Sequence, residues 1–369
     1  MEEWIQMLYD DREMCSKPGP IGYSVSLTTA HIIAAPIYAV AFYTLYAEKS
    51  PNFKIYKRYL AVHAICNIIF EFHLSVVLRP VIYLPYPIVR FTGIFMLRYI
   101  NGSLTFFIFV LFIFGICWSI VELFHYRFKL IVGSSLTSEW IKKTARIAAV
   151  TRWTLAVLTL VTVFTIPLCV IGMFDQTMHK MRFSQVRGFQ NPQTEHRKLQ
   201  IINQYPEILC MSALTLPKTA DAGLKPIHLF NLSAFFFIAV GFFLSGFMGL
   251  TSYLALQRMV AQTRASMKTV AMHKAFLISL FSQVCVHGVM LGFPVFIYII
   301  AAIFNFDGNE VAYVAIVMAS LHGTMSTLAM ILLNRPLYEL FMTKIWRVFT
   351  PNMVFIRDQS SFISTGVSR

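Results

Sequence analysis

Residues 272–304 read MHKAFLISLFSQVCVHGVMLGFPVFIYIIAAIF, and this stretch decides the fold. After Lys274 it carries no Asp, Glu, Lys or Arg. A transmembrane helix needs about 20 apolar residues, whereas a helix of this length on a soluble core would show a polar stripe. Pro294 removes one main-chain hydrogen bond, which bends a helix. The stretch therefore predicts a bent, membrane-spanning helix.

The composition of the whole chain is that of a polytopic membrane protein. Of its 369 residues, 57% are hydrophobic and 13% are charged. That charged fraction is about half of what a soluble domain carries. Lys and Arg outnumber Asp and Glu by 31 to 17. Because the basic residues lie between apolar segments, the positive-inside bias explains the excess, and no nucleic-acid partner is expected.

Seven membrane spans are predicted, all helical because lipid offers no partners to the edges of open sheets. The predicted spans cover residues 24–46, 59–79, 93–122, 153–174, 228–256, 275–304 and 312–334. Residues 1–23 form an extracellular N-terminal segment, and residues 335–369 form a cytoplasmic interfacial helix and a polar tail. The predicted fold is thus an all-α membrane protein, a seven-transmembrane helix bundle with a short interfacial helix after the last span.

The orientation follows from the basic residues in the connecting segments. With the N-terminus outside, more Lys and Arg fall on the inner side than on the outer side. Most outer basic residues lie in the long loop 175–227, and long loops translocate largely regardless of charge. Loops of this length are uncommon without a function, so we expect this one to cover the outer mouth of the bundle.

Glu71 is the acidic residue that falls well inside a predicted span. A charge at that depth is costly, so two interpretations are open. Glu71 is either a polar hub that differs between two helix packings or a neutral carboxyl group bonded to a neighbouring helix. Arg98, near the outer end of span three, faces either an anionic ligand or Glu71, or else extends to the lipid headgroups. The predicted ligand-binding residues are Arg98, Tyr99, Phe293, Phe296 and Tyr313. The four aromatic rings among them suit a small apolar compound.

Three histidines, His73, His287 and His322, are predicted at similar depth on spans two, six and seven. They suggest either the zinc site of an intramembrane hydrolase or hydrogen bonds between helices. No H-x-x-x-H occurs, and no second intramembrane acid supports a zinc-bound water. Hydrogen bonding is therefore favoured, and neither a metal, a cofactor nor an enzymatic activity is expected.

Cys15 and Cys210 are the two cysteines predicted to lie outside the membrane, on its outer side. Thiols exposed to an oxidising compartment favour a disulfide. Such a bridge would tie the N-terminal segment to the long loop. Two free thiols are the alternative.

The inner ends of spans three and seven carry patterns typical of G-protein-coupled receptors. In span three, Arg127 lies between two aromatic residues where the helix leaves the bilayer. In span seven, Asn334 and Tyr338 are four residues apart with Pro336 between them. Asn, Pro and Tyr at such a terminus form a polar joint that bends against neighbouring helices.

The chain resembles the nematode serpentine chemoreceptors of the Str superfamily, and most closely its Srh and Sri branches. The resemblance covers nearly all the spans and little of the long loop or the tail. The motifs that carry it are His31 with Pro36 in span one, SPNFKIYKRYLAVH, HLSVVLRPVIYLPYP, MHKAFLISLFSQ and HGTMSTLAMILLNRPLYE.

The resemblance implies a chemosensory receptor that detects a small environmental or pheromone-like molecule and activates a heterotrimeric G protein. It also implies the plasma membrane, at a sensory-neuron cilium. Arg127 takes the position of the arginine that meets the G protein in such receptors. His125-Tyr126 replaces the usual acid before that arginine, and Asn334-Arg335-Pro336-Leu337-Tyr338 replaces Asn-Pro-x-x-Tyr. The residues expected to serve coupling and activation are Arg127, Glu71, Pro294, Asn334 and Tyr338.

A ligand-gated ion channel or transporter of seven-span type is the alternative function. A conduction path requires rings of charged side chains or broken helices near the midplane. Glu71 is the only candidate for such a charge, so reception is favoured.

Overall fold

The computed structural model describes residues 18–50, 53–84, 88–93, 102–133, 139–172, 212–214, 226–262, 267–304 and 308–346. In this part of the chain, seven helices are long and apolar enough to cross a membrane. The predicted seven-helix membrane bundle is therefore confirmed. The helices are α1 Ile21–Ala47, α2 Lys54–Phe72, α3 Gly102–Gly133, α4 Glu139–Gly172, α5 Pro226–Gln262, α6 Met267–His287 with its continuation Phe293–Phe304, α7 Asn309–Leu333 and α8 Arg335–Leu340.

Several helices extend beyond the apolar segments that predict them. Helix α3 continues past residue 122 to Gly133, and α4 begins at Glu139 rather than near residue 153. No proline interrupts either extension, and a helix needs no apolar side chains where it leaves the bilayer. As a result, charged residues that the sequence places at the edges of spans lie within helices.

Two π-helical turns lie within the membrane-spanning helices, and a third, Phe341–Trp346, directly follows α8. Helix α2 continues as the π turn His73–Leu78 and ends at Arg79, whose φ of 42° is left-handed, with Pro80 directly after it. Helix α6 is interrupted by the π turn Gly288–Gly292, immediately before Phe293 and Pro294. A proline frees the carbonyl one turn before it, so the irregular turn lies where main-chain pairing is weakest.

A small antiparallel sheet is an addition to the predicted all-α fold. Its strands are β1 Pro80–Ile82, β2 Ile88–Phe91 and β3 Ser212–Leu214, in the order β1-β2-β3. Strands β1 and β2 form a hairpin between α2 and α3, with Val81 opposite Arg90. Strand β3 comes from the loop between α4 and α5 and pairs Ala213 with Val89. We call this end of the bundle the sheet end and the other the opposite end.

The hairpin is fixed to the helices by hydrogen bonds at its base and near its tip. The Tyr23 hydroxyl of α1 donates to the carbonyl of Pro80 over 2.6 Å. The Leu84 N–H donates to the Asn309 side chain at the start of α7 over 3.0 Å. The N–H groups of Thr92 and Gly93 donate to the carbonyl of Leu78, each over 3.0 Å. The sheet end therefore connects α1, α2 and α7 directly.

Rings and hydroxyl groups pack α3, α4 and α5 together. The rings of Phe114 and Phe237 stack with centroids 3.9 Å apart, which joins α3 to α5. The Trp118 indole N–H donates to Thr159 of α4 over 3.0 Å. Close ring packing and bonds between polar side chains hold helices together in lipid, where no hydrophobic force acts between them.

Candidate functional site

Glu71 on α2 is the centre of a buried polar contact between three helices. Its side chain is 2% exposed. One carboxyl oxygen accepts the Tyr38 hydroxyl of α1 over 2.8 Å, and the other accepts the N–H of Thr324 on α7 over 2.7 Å. The Thr324 hydroxyl lies within 3.0 and 3.2 Å of the two oxygens. Both oxygens are thus satisfied, and α1, α2 and α7 share one hydrogen-bonded group.

Gly323 allows these helices to approach each other. A Cβ atom at this position would lie 2.6 Å from the Tyr38 hydroxyl oxygen and 2.6 Å from the Cβ of Asn67. Real Cβ atoms do not approach other atoms so closely, so only glycine fits without a shift of α1 or α2. The absent side chain at Gly323 is therefore what lets Thr324 reach Glu71.

Two turns before Glu71 on α2, His63 is one of three buried imidazoles that belong to α2, α6 and α7. The ring centroid of His287 is 5.3 Å from that of His63 and 5.1 Å from that of His322. The Asn67 amide nitrogen lies 3.2 Å from Nε2 of His63, and its amide oxygen lies 3.5 Å from Nε2 of His287. Asn67 therefore sits between the imidazoles of α2 and α6.

Hydrogen bonds fix the orientation of each imidazole. Nδ1 of His287 lies 2.7 Å from the Gln283 carbonyl, and Nδ1 of His322 lies 2.7 Å from the Ala319 carbonyl. Nδ1 of His63 lies 2.8 Å from the Ser119 hydroxyl of α3, which itself donates to a main-chain carbonyl. Since a carbonyl only accepts, each Nδ1 carries the proton. No group of three His, Cys, Asp or Glu in the described residues is placed to hold a metal ion.

The histidine set differs from the one that the sequence predicts. His287 and His322 are in ring contact, but each is bonded to a carbonyl of its own helix and not to the other helix. The third ring is that of His63, not His73. His73 begins the π turn of α2 and packs its ring at 4.6 Å against Phe112 of α3. His63 lies ten residues before His73, about 15 Å along the helix, so α2 meets α6 and α7 at a different depth from the one that the sequence suggests. The spacing of His63 and Asn67, one helical turn apart, is the sequence signal that could have found it.

Asn334 closes a further contact between α6 and α7 near the opposite end. Its side chain is buried and donates to the Ser279 hydroxyl of α6 over 2.8 Å. Gln283, one turn along α6, has its amide nitrogen 3.3 Å from the same hydroxyl. The main-chain carbonyl of Gln283 in turn accepts from Nδ1 of His287. A line of polar groups therefore runs along α6 from Asn334 to the three imidazoles.

Arg127 of α3 lies between two aromatic rings. Its guanidinium carbon is 3.6 Å from the centre of the Tyr56 ring on α2 and 3.7 Å from that of the Phe276 ring on α6. The residue is only 4% exposed, so it is deeper than the sequence suggests. A guanidinium held against ring faces and away from water is stabilised by cation–π attraction. We call Arg127, Tyr56 and Phe276 the arginine cage.

Further aromatic residues support the arginine cage. Phe53, at the start of α2, packs on Tyr56 at 5.3 Å and on Phe276 at 5.8 Å between ring centroids. Tyr126 stacks on Tyr56 at 6.0 Å. The two cage rings also contact each other, with centroids 5.3 Å apart. Helices α2, α3 and α6 therefore meet at one aromatic cluster around one cation.

The acidic residue nearest to Arg127 in the sequence, Glu122, pairs with a different arginine. Glu122 accepts from the Arg152 guanidinium of α4 over 2.6 Å. Arg152 also lies 3.3 Å from Nε2 of His125. The sequence gives no signal for this pair between α3 and α4, because its residues fall at the predicted ends of two spans. Arg127 makes no ion pair among the described residues.

The other residues predicted for activation and ligand binding occupy different environments. Pro294 is buried after the π turn of α6. Tyr338 is exposed, and its N–H donates to the Asn334 carbonyl over 2.9 Å. Phe293 and Phe296 are exposed, whereas Tyr313 is half-buried with its ring 5.0 Å from that of Tyr23 at the sheet end. The residues that lie outside the described part of the chain are Arg98, Tyr99, Cys15 and Cys210.

Together these contacts join helices α1, α2, α3, α6 and α7. The hydrogen bonds of Glu71 link α1, α2 and α7. The three imidazole rings are in contact between α2, α6 and α7, and the arginine cage links α2, α3 and α6. Packed interfaces of this kind have discrete arrangements rather than continuous ones.

A comparison with protein-family models adds an independent finding. The model described as "Serpentine type 7TM GPCR chemoreceptor Srh" matches residues 19–347, which is most of the chain and includes all seven spans. No curated protein and no solved structure matches the chain.

Proposed function

Because the chain belongs to the Srh family of serpentine seven-transmembrane chemoreceptors, we propose that it couples a small-molecule ligand to a heterotrimeric G protein. The family is one of receptors and not of enzymes, and the chain is a multi-pass membrane protein. The ligand would bind at the sheet end, and the G protein at the opposite end. The plasma membrane of a sensory-neuron cilium is the proposed location.

The observation that carries this proposal is the arginine cage. A buried guanidinium without an acid partner is stabilised only while the rings of Tyr56 and Phe276 remain on both sides. Movement of α6 away from α3 removes the Phe276 ring and uncovers a cation at the opposite end. An exposed arginine there is a suitable contact for the G protein, as the family resemblance implies for Arg127.

The proposed orientation has the N-terminus and the sheet end outside. It is supported by the exposed basic residues at the opposite end, among them Lys54, Arg58 and Lys129. An epitope tag at the N-terminus should label on intact cells, and a tag after Arg369 only on permeabilised cells. The reverse labelling would contradict the receptor proposal and favour an inverted channel.

The ligand is proposed to be small and largely apolar, and Tyr313 is the described residue best placed to contact it. Tyr313 is half-buried beside Tyr23, whose hydroxyl is bonded to β1. A ligand that inserts at this ring pair would act on α1, α7 and the sheet together. Arg98 and Tyr99 remain proposed ligand contacts in the segment between β2 and α3.

The experiment that tests the function is expression in cells with a G-protein reporter, exposed to a panel of volatile and water-soluble compounds. Arg127→Ala should reach the surface and lose most of the response to any active compound. Arg58→Ala removes an exposed charge from the same end and serves as the matched control. A full response of Arg127→Ala at equal surface level would contradict the proposed coupling, and ligand-dependent current without a G protein would favour a channel.

A further inference from the structure

One face of α4 is exposed along most of the membrane span. Its residues recur every three or four positions, so they lie on one side of the helix. Trp153 is 73% exposed and Phe164 is 67% exposed. The α4 face, as we call it, consists of Lys143, Arg146, Val150, Trp153, Val157, Leu160 and Phe164. It presents cations at the opposite end of the bundle and apolar side chains from there on.

The cations of the α4 face have no acidic partner among the described residues. Lys142, beside them, is paired with Glu139 over 2.9 Å, so the only acid of this turn is already occupied. Lys143 and Arg146 are both exposed. The end of the α4 face therefore carries an uncompensated positive charge.

A second observation at the same end points to a missing acceptor. The Arg258 guanidinium at the end of α5 lies 4.5 Å from the centre of the Trp140 ring on α4. The indole Nε1 of Trp140 is buried and has no hydrogen-bond partner in the described part of the chain. Buried N–H groups are nearly always bonded. Trp140 precedes Lys143 by one turn, so the indole N–H, Arg258 and Lys143 are all donors near the same end of α4.

Trp153 marks the position where the face changes from charged to apolar. Tryptophan prefers this depth in a membrane, with its ring among the lipid glycerol and headgroups. Beyond it, the side chains of Val157, Leu160 and Phe164 offer only hydrocarbon contacts. The same face thus matches, in order, a phosphate, a glycerol region and an acyl chain.

We propose that the α4 face, together with Arg258, binds an anionic phospholipid. The lipid phosphate lies among Lys143, Arg146 and Arg258 and accepts from them, while one acyl chain runs along the apolar part of the face. A soluble anion would leave the apolar stripe unused, and a zwitterionic headgroup would bring its own cation to a site that already has three. The charge of the site therefore selects an anionic lipid.

The test measures quenching of Trp153 by lipids with brominated acyl chains in vesicles of otherwise unlabelled phosphatidylcholine. The chain has five tryptophans, so Trp153→Phe provides the background of the other four. At the same low mole fraction, brominated phosphatidylserine should quench the Trp153 signal at least about threefold more than brominated phosphatidylcholine. Equal quenching by the two lipids would overturn the proposal.

Two double variants separate the site from general surface charge. Lys143→Gln with Arg146→Gln should abolish the preference for phosphatidylserine, and both side chains are exposed, so folding is not at risk. Lys54→Gln with Arg58→Gln removes the same charge from α2 at the same end and should preserve the preference. Equal loss in both doubles would overturn the proposal. Arg258→Gln should weaken the preference on its own.

Soluble anions identify the source of the phosphate. Millimolar inorganic phosphate at constant ionic strength should leave the quenching unchanged, because it gains nothing from the apolar stripe. If phosphate abolished the preference, the site would be one for a free anion and not for a lipid. None of these measurements needs an odorant or a G protein, so they stand or fall independently of the proposed signalling.

Discussion

The guanidinium carbon of Arg127 on α3 lies 3.7 Å from the centre of the Phe276 ring on α6. This contact joins two helices without an acidic residue. Its strength depends on the ring face and on the exclusion of water, and not on an opposite charge. The acid that could have paired with Arg127, Glu122, holds α4 through Arg152 instead. The contact of α3 with α6 at this point is thus made by an aromatic residue of α6 and not by an acid.

Replacement of Phe276 by Leu should therefore raise ligand-independent signalling. It removes one cation–π contact, worth about 0.5–2 kcal/mol, from the closed packing only. Since about 1.4 kcal/mol corresponds to a tenfold change in an equilibrium, basal reporter output should rise several-fold at equal surface level. Phe276→Tyr retains the ring face and should behave as the natural protein does. Unchanged basal output in Phe276→Leu would exclude the cage as a restraint.

Gly323→Ala should destabilise the bundle. The added Cβ would lie 2.6 Å from the Tyr38 hydroxyl oxygen, and overpacking of this kind costs about 1–3 kcal/mol. Gly246→Ala is the matched control, because a Cβ there meets nothing within 4 Å and alanine is the better helix former. Thermal unfolding of the purified variants in detergent measures both. Equal melting temperatures would show that α1 and α7 are not packed as closely as described.

Tyr38 and Glu71 should be energetically coupled. Tyr38→Phe removes one donor to the carboxyl group, and Glu71→Gln weakens every bond that this group accepts. Because residues in one hydrogen-bond network are not additive, the double variant should lose at least about 0.5 kcal/mol less than the sum of the single losses. Chemical or thermal unfolding of the four proteins completes the cycle. Additive losses would mean that the bond contributes nothing to stability.

The pair Glu122–Arg152 should tolerate exchange of its charges. Glu122→Arg alone places two guanidinium groups at the position of a 2.6 Å ion pair and should lower surface expression. Adding Arg152→Glu should restore part of it. Both side chains are partly exposed, so the pair is worth at most about 1 kcal/mol. If surface expression does not recover in the double variant, the bond from Arg152 to His125 contributes more to it than the ion pair does.

Pro294→Ala should change signalling efficacy more than ligand affinity. The proline follows the π turn Gly288–Gly292, and alanine restores the N–H that a regular helix needs. A more regular α6 favours one of two packings, and a ligand moves that balance only by its different affinity for the two. Dose–response curves separate the two effects, since the maximum should change while the midpoint stays within about twofold. A shift in the midpoint alone would contradict this role for the proline.

The number and nature of the helices could be predicted because each span is a long apolar run. Which residues contact each other between helices could not be predicted. Counting residues from the ends of a span gives only an approximate depth, and it does not show where along two helices they touch. It selects His73, whereas the ring that contacts His287 at 5.3 Å is that of His63, about 15 Å away along the helix. A three-helix contact such as the arginine cage leaves no trace in any single stretch of sequence.

The sheet was missed for a different reason. Strand β3 has only three residues, Ser212–Leu214, and lies within a loop that the sequence marks only as long. Its partner β2 is far away in the chain, and pairing between distant short strands has no local signal. The hairpin residues Pro80–Phe91 fall between the predicted spans 59–79 and 93–122, and the sequence marks them only as a connection.

The base of the hairpin has a consequence for how such a receptor can diversify. The chain leaves α2 at Arg79 and returns at Thr92 and Gly93, where main-chain groups bond to main-chain groups. Those bonds do not depend on side-chain identity. Gly93 is the exception, because a Cβ there would overlap the Val77 carbonyl. The hairpin can therefore change its sequence while its base keeps the same main-chain bonds, provided that Gly93 stays in place. Under the proposed function, such changes would alter the ligands that the receptor accepts without changes in the helices.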